Sequence, residues 1–395
     1  MTLREDWTSL PPILILTAGG LENGGGIGRM IGYLTEQWCR AGAAPAFQVL
    51  DTRGPGAWRR WPRNFGRAAT VLWRASRRRE IGPPLAYIHV AGRGSTLRKL
   101  LLVAIARACA LPVVLHLHDY DYEAFCRTLP SAGLGLVRWM FGAADHVIVL
   151  GEDARQTVTG LLHVPAERVT ILPNAVPAPT ETADRPARSR GDGSPHILFL
   201  GQLSERKGTH DLIAALDHPR MRALGWRATI AGGGPHEARF AGQLAATGVA
   251  DRVAMPGWVD RRAAAALLAD ADILVLPSYG EGMAMSILEA MSFGLAIVAT
   301  PVGALREVLE PNRTALLVKP GDVSALAGAL ARVVADADLR QRLSSAALAR
   351  FAADFDVAQY PRRLLPIMIK ALEQKRARLP VGPDAALSAR QTHEG

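Results

Sequence analysis

Pro277-Ser278-Tyr279-Gly280-Glu281-Gly282-Met283-Ala284-Met285-Ser286-Ile287-Leu288-Glu289-Ala290-Met291 sets two glutamates eight positions apart around a glycine-led helix start. The apolar run Ile273–Leu276 before it reads as a buried parallel strand, Pro277 to Gly282 as the loop leaving its carboxyl end, and a helix follows from about Met283. In open α/β sheets, ligands collect just outside such strand ends. A helix start there offers unpaired N–H groups and the positive end of a dipole, both suited to phosphate. Gly282 permits close backbone approach. Glu281, before the helix, and Glu289, two turns into it, are placed to accept hydrogen bonds from the hydroxyls of one ligand. An ordinary helix with an N-terminal acid and one solvated glutamate has the same local pattern, so the rest of the chain decides.

The chain has 395 residues, 49% of them apolar, which is too long for one core and too apolar for general disorder. Strand-like runs alternate with helical stretches in both halves. Ile13 to Thr17, Ala46 to Leu50, Ala86 to Val90, Val113 to Leu117, Val147 to Leu150 and Val169 to Ile171 come first. Ile197 to Leu200, Ala228 to Ile230, Val253 to Met255, Ile273 to Leu276, Ala296 to Ala299 and Ala315 to Val318 follow. Such alternation implies two doubly wound parallel sheets facing across a cleft. Pro177 to Pro195 has linker composition, giving a first domain over 1–176, a linker over 177–195 and a second domain over 196–355. Residues 356–375 read as a final helix and 376–395 as a loose tail. Cys39, Cys109 and Cys126 are odd in number and lack metal-like spacing, which fits a reducing compartment. Met1 to Leu10 lacks the apolar core of a signal peptide. Leu100 to Ala110 is the most membrane-like run, yet far short of the ~20 apolar residues a spanning helix needs, so a buried helix is expected there.

The motif with its neighbours resembles the family 4 retaining glycosyltransferases of GT-B fold, whose signature is Pro-Ser, Glu-Gly, then Leu-Glu-Ala-Met with seven residues between the glutamates. The resemblance covers roughly residues 13 to 350. It implies a hexose transferred, with retention, from a nucleotide-diphosphate sugar to an acceptor hydroxyl, with no metal or other cofactor. Glu281 would face the donor hexose and Glu289 the ribose, while backbone amides of Gly282, Met283, Ala284 and Met285 meet hexose and diphosphate. The final helix would cross back to the first domain.

Further loops line the expected cleft. Gly24-Gly25-Gly26-Ile27-Gly28-Arg29 reads as a flexible loop into a helix over Met30 to Arg40, with Gly25, Gly26 and Arg29 near the diphosphate. A simple turn reads the same way. In Leu200-Gly201-Gln202-Leu203-Ser204-Glu205-Arg206-Lys207-Gly208, Lys207 and Arg206 supply positive charge for the departing diphosphate beside Gly201. The family's usual arginine after the first glycine is Gln202 here, which leaves Arg206 as the second cation. Ala231-Gly232-Gly233-Gly234-Pro235 and Gly257-Trp258-Val259 follow strands, and the resemblance puts Gly233, Trp258 and Val259 around the nucleotide. A tryptophan that only packs is the alternative. His118, at the tip of Val113-Val114-Leu115-His116-Leu117-His118, matches a cleft histidine near the reacting sugar, with His116 as support. Asp119 and Asp121 form an Asp-x-Asp pair that the resemblance argues against as a metal site. Asp121 and Tyr122, with Arg93 and Ser95, are candidate acceptor contacts. Asn174 matches a hinge element, and Thr300-Pro301-Val302-Gly303 with Glu307 reads as pocket framework.

The net charge of +10 is concentrated: Asp51 to Arg107 holds thirteen Arg or Lys against two acids, with Trp58, Trp61 and Trp73 interspersed. An anionic membrane surface, a solvated arginine-rich face and nucleic acid all suit that mixture. With the resemblance, it points to a peripheral enzyme on the cytoplasmic face of a membrane, acting on a saccharide carried by a lipid diphosphate in surface-polysaccharide or exopolysaccharide assembly, with nucleic acid not a partner. Two readings compete. One is a noncatalytic or degenerate GT-B partner protein, and the other a GT-B nucleotide-sugar epimerase or phosphorylase.

Overall fold

The computed structural model describes residue 7 and residues 10–21, 25–40, 45–54, 61–77, 83–179 and 193–378. Among these residues twelve strands form two sheets of six. The first sheet holds β1 (Ile13–Thr17), β2 (Phe47–Asp51), β3 (Leu85–Val90), β4 (Val113–Leu117), β5 (His146–Val149) and β6 (Val169–Ile171), in the order β2-β1-β3-β4-β5-β6. The second holds β7 (His196–Leu200), β8 (Arg227–Ala231), β9 (Val253–Gly257), β10 (Ile273–Leu276), β11 (Ala296–Ala299) and β12 (Leu316–Leu317), in the order β12-β11-β10-β7-β8-β9. All ladders are parallel. Helices cover both faces of such sheets, so inner strands are uniformly apolar. Accordingly β1, β3, β4, β7, β10 and β11 are buried at each position, whereas the edge strands β2 and β9 are partly open.

This topology fixes where a ligand goes. The chain reverses its direction of winding between β1 and β3 in the first sheet and between β7 and β10 in the second, and crevices open at the carboxyl ends of strands at such switch points. The loops after β3 and β4 therefore face those after β7 and β10. The approach is close: a Cβ on Gly282 would lie 2.6 Å from the His118 carbonyl oxygen. Gly303, at φ 52°, has no room for a side chain either, since a Cβ there would fall on the Glu281 carbonyl.

The helix Tyr360–Ala377 packs on β4, β5 and the helix Gly25–Arg40, so the chain returns to the first sheet after completing the second. Val176 donates to the Phe355 carbonyl (3.0 Å) and accepts from the Val357 amide (2.9 Å), tying the two crossings together. Arg378 meets the buried Asp145 at 3.3 Å. Of the linker expected over 177–195, residues 180–192 lie outside the described residues, as does the tail beyond 378.

Three expectations change. The glycine run is the opening of the helix Gly25–Arg40 rather than a loop, since one residue in the left-handed region, Gly25 at φ 57°, suffices to enter the helix. The helix after Glu281 runs Met285–Ser292, so Glu289 lies one turn into it, not two. The run around Leu100 belongs to a surface helix, Gly94–Ala108, which buries Leu102, Val103 and Ala106 but exposes Leu97 and Leu101, because a period of 3.6 leaves one face outward. Among the described residues no helix is long and apolar enough to cross a membrane.

Candidate active site

Local geometry lifts Lys207 into the cleft. Ser204 accepts the Lys207 amide hydrogen through Oγ (3.3 Å), capping the single turn Glu205–Lys207, and Gly208 leaves that turn at φ 68°. The Lys207 stem then runs past Gly201, where a Cβ would sit 3.8 Å from its Cε. Its Nζ donates to Glu281 Oε1 at 2.5 Å, and Ser278 Oγ donates to the same oxygen at 2.7 Å. Arg206 lies 3.5 Å from the other carboxylate oxygen and donates to the Gly280 carbonyl at 2.7 Å. Burial lowers the Lys207 pKa, and the charge of Glu281 opposes that shift. A buried ammonium held by a single carboxylate is a strong locus for added negative charge. Gln202 is exposed at the same strand end.

Glu289 faces other partners. Arg29 reaches its Oε1 at 3.1 Å and the Tyr33 hydroxyl donates to it at 3.2 Å, both from the helix Gly25–Arg40 of the first domain. Burial raises the Glu289 pKa, and Arg29 opposes this. Arg261 stacks over Tyr33, 4.7 Å from the ring centroid, and donates to Glu36 at 2.9 Å. A cavity of about 620 Å³ opens here, lined by Arg29, Tyr33, Arg261, Glu289 and Phe293. The two glutamates thus address different cations, Glu281 with Lys207 and Glu289 with Arg29. Gly26 brings the first domain within 3.6 Å of Met285 Cγ, measured from a built Cβ.

The first-domain wall carries His118 at the tip of β4. Its Nε2 lies 2.8 Å from His89 Nδ1, and its ring centroid 4.0 Å from that of His116. Burial pushes the His118 pKa down to about 3, so the ring is neutral. Beyond it, Asp119, Asp121, Glu123, Asp153, Arg127, Glu281 and Gly282 share a cavity of about 350 Å³. An Asp119 oxygen accepts the Asp121 amide hydrogen at 3.3 Å.

Several candidate residues sit elsewhere than expected. Tyr122 is buried, its hydroxyl 3.2 Å from Thr96 Oγ1, and Ser95 is buried with its Oγ accepting the Ala91 amide hydrogen (3.3 Å). Ser95 is turned inward at the start of the helix Gly94–Ala108 after β3, and Tyr122 at the start of the helix Tyr122–Arg127 after β4, where it also lines the 350 Å³ cavity. Lys99 is also buried, donating to the Leu16 carbonyl and Thr52 Oγ1, and offers no charge to a ligand. Arg93 is exposed, at φ 55°. Trp258 is 75% exposed beside Gly233, which excludes a packing role, and Val259 is half-buried. Asn174 is buried, and its backbone amide donates to Met283 Sδ at 3.1 Å. Glu307 accepts the Glu152 amide hydrogen at 2.6 Å, a link between the domains. Sequence reasoning missed Tyr33, which is one turn from Arg29 on the same helix face. It also missed His89, which only strand pairing brings to His118.

Comparison with known proteins agrees across the chain. The Glycosyltransferase Family 4 model matches residues 24–178 and the Glycosyl transferases group 1 model matches residues 180–350. A 2-deoxystreptamine N-acetyl-D-glucosaminyltransferase of Streptomyces fradiae is 30% identical over 305 residues, 73% of this chain and 72% of that one. Sucrose-phosphate synthase from Thermosynechococcus elongatus superposes with a TM-score of 0.75 at 19% identity, covering 92% of this chain and 99% of the other. The Anabaena protein Alr3699/HepE, in complex with UDP and glucose, superposes with a TM-score of 0.71 at 19% identity, over 91% and 99% of the two chains.

Proposed function

The chain belongs to the group 1, family 4 glycosyltransferases, with GT-B architecture, and on that premise we propose that it moves a hexose from a nucleotide-diphosphate sugar to a hydroxyl of a saccharide acceptor with retention at the anomeric carbon. The observation that carries this reading is the Lys207–Glu281 pair at the switch point, next to Gly282, which closely approaches the His118 carbonyl. Lys207, Arg206 and the start of the helix Met285–Ser292 stand where charge develops on a departing diphosphate, and groups already in place stabilise it without reorganisation. We read the transfer as metal-free on this account. Glu281 is tied to Lys207 and Ser278, which suits a carboxylate that orients rather than attacks. In the step we propose, the bond from the anomeric carbon to the diphosphate oxygen breaks, the acceptor oxygen bonds the same face of that carbon, and the acceptor proton passes to the leaving phosphate.

The acceptor is proposed to be lipid-linked, in surface-polysaccharide assembly at a membrane. The adjoining helices Trp61–Ser76, Gly94–Ala108 and Ser131–Ala143 expose Trp73, Leu97, Leu101, Leu136 and Trp139 among Arg63, Arg67, Arg74 and Arg77. Tryptophan with arginine suits the interface of an anionic bilayer. A second reading of the acceptor, one bearing amines, is favoured by the acidic wall of Asp119, Asp121, Glu123 and Asp153. The Streptomyces fradiae relative, named for 2-deoxystreptamine, points the same way.

The test is proton NMR of the product formed from UDP-, GDP- or ADP-α-hexose with a panel of alkyl glycosides and aminocyclitols. An α-linked product is expected. A β-linked product overturns retention, and free sugar of altered stereochemistry without acceptor favours an epimerase.

A further inference from the structure

His89 and His116 are direct partners in the parallel β3–β4 ladder, so both side chains leave the sheet on one face. His118 follows His116 by two residues and shares that face. Each of the three rings presents a nitrogen within 4.8 Å of those of the other two. His116 is fully buried, yet its Nε2 has no hydrogen-bond partner among the described residues. Buried polar atoms are nearly always partnered, and an orphaned imidazole nitrogen inside a cluster of three histidines calls for an explanation.

We propose that His89, His116 and His118 form a binding site for a borderline divalent cation, with Zn²⁺ the best match. An all-imidazole donor set suits zinc, cobalt, nickel or copper and disfavours magnesium and calcium, which take oxygen ligands. The support is also of the right kind. Tyr87 Oη lies 2.7 Å from His116 Nδ1, and in the tautomer whose Nδ1–H donates to that hydroxyl Nε2 is the bare, ligating nitrogen, as metal-bound histidines are held. Lys99, the nearby amine, is turned to the Leu16 carbonyl and Thr52 Oγ1.

The cation takes the place of the His89–His118 contact. Those nitrogens stand 2.8 Å apart, and tetrahedral zinc with bonds of about 2.0–2.1 Å spaces its ligands by roughly 3.3 Å, a small opening of the pair. His118 is half-buried at the cleft, so a fourth position stays open to water or a substrate hydroxyl. On the transferase reading above, an ion there withdraws His118 from the donor sugar and inhibits transfer. Binding itself does not depend on that reading.

The experiment is calorimetric titration of chelator-treated, full-length protein with ZnCl₂, beside an optical titration with Co²⁺. One tight equivalent of zinc, and visible absorption bands of tetrahedral cobalt, are expected. His89→Asn should weaken zinc binding at least ~10-fold, while His163→Asn, at an exposed loop histidine, leaves it unchanged. Weak zinc binding that both variants share with the unmutated protein, or no cobalt bands, overturns the site. The cobalt spectrum of the unmutated protein decides the matter even where His89→Asn does not fold. Tight zinc binding that leaves turnover unaffected overturns the inhibitory role alone.

Discussion

Lys207→Ala is expected to lower kcat at least ~100-fold, about 2.7 kcal/mol of transition-state stabilisation, by analogy with the loss of one preorganised donor. The physical reason lies in what surrounds the amine. Lys207 is 9% exposed and meets Glu281 at 2.5 Å, and it stands at the carboxyl end of β7, where leaving-group charge would build. Removing it deletes that cation and leaves Glu281 with Ser278 as its near hydrogen-bond donor, a carboxylate short of a counter-charge. Arg206 remains 3.5 Å away, half-exposed and committed to the Gly280 carbonyl, and so replaces Lys207 only in part. The check is steady-state release of nucleotide diphosphate, with circular dichroism to show the variant folded. Rates near those of the unmutated protein would remove Lys207 from the site.

Glu281→Gln is expected to cost at least ~100-fold as well, through a different route. The amide keeps the shape of the side chain and an oxygen for Ser278, but the charge that opposes the burial of Lys207 is gone. The Lys207 pKa, already lowered by burial, then falls further, because burial disfavours its charged form and no partner offsets it. The sign follows directly: the rate depends on the ammonium, so the alkaline limb of the pH–rate profile moves to lower pH in Glu281→Gln. A merely structural glutamate would lower stability without moving that limb. The two substitutions combined should cost less than the product of their separate effects, since each removes the same pair.

How much of this was legible in the sequence depends on whether the cause was local. β1, β4, β10 and β11 have the boundaries read from their apolar runs, because strands buried on both faces announce themselves without reference to neighbours, and the partly buried edge strand β6 has the expected bounds as well. β12 was read over Ala315 to Val318 and is only Leu316–Leu317, an edge strand paired to β11 at two positions. The glycine run before Arg29 misled because three glycines suggest a loop, whereas only Gly25 takes a left-handed conformation among Gly25, Gly26 and Gly28. The segment Pro277 to Met291 placed Glu281 and Glu289 at the cleft, but not their partners. Arg29 is 260 positions from Glu289 and Lys207 is 74 from Glu281, separations at which no local pattern speaks. His89 was invisible for the same reason: a lone histidine in an apolar strand acquires meaning only from the register that sets it against His116.

The central claim, that the crevice between the two sheets binds a nucleotide-diphosphate sugar through Lys207 and Glu289, is tested most directly by thermal unfolding with UDP, GDP, ADP and their hexose conjugates. A ligand at 100 times its Kd adds about 2.7 kcal/mol to the stability of the state it binds. One nucleotide is expected to raise Tm, with or without chelator, and the shift should shrink in Lys207→Ala and in Glu289→Ala. No shift with any of them at millimolar concentration, or a shift that both variants retain in full, would contradict the account.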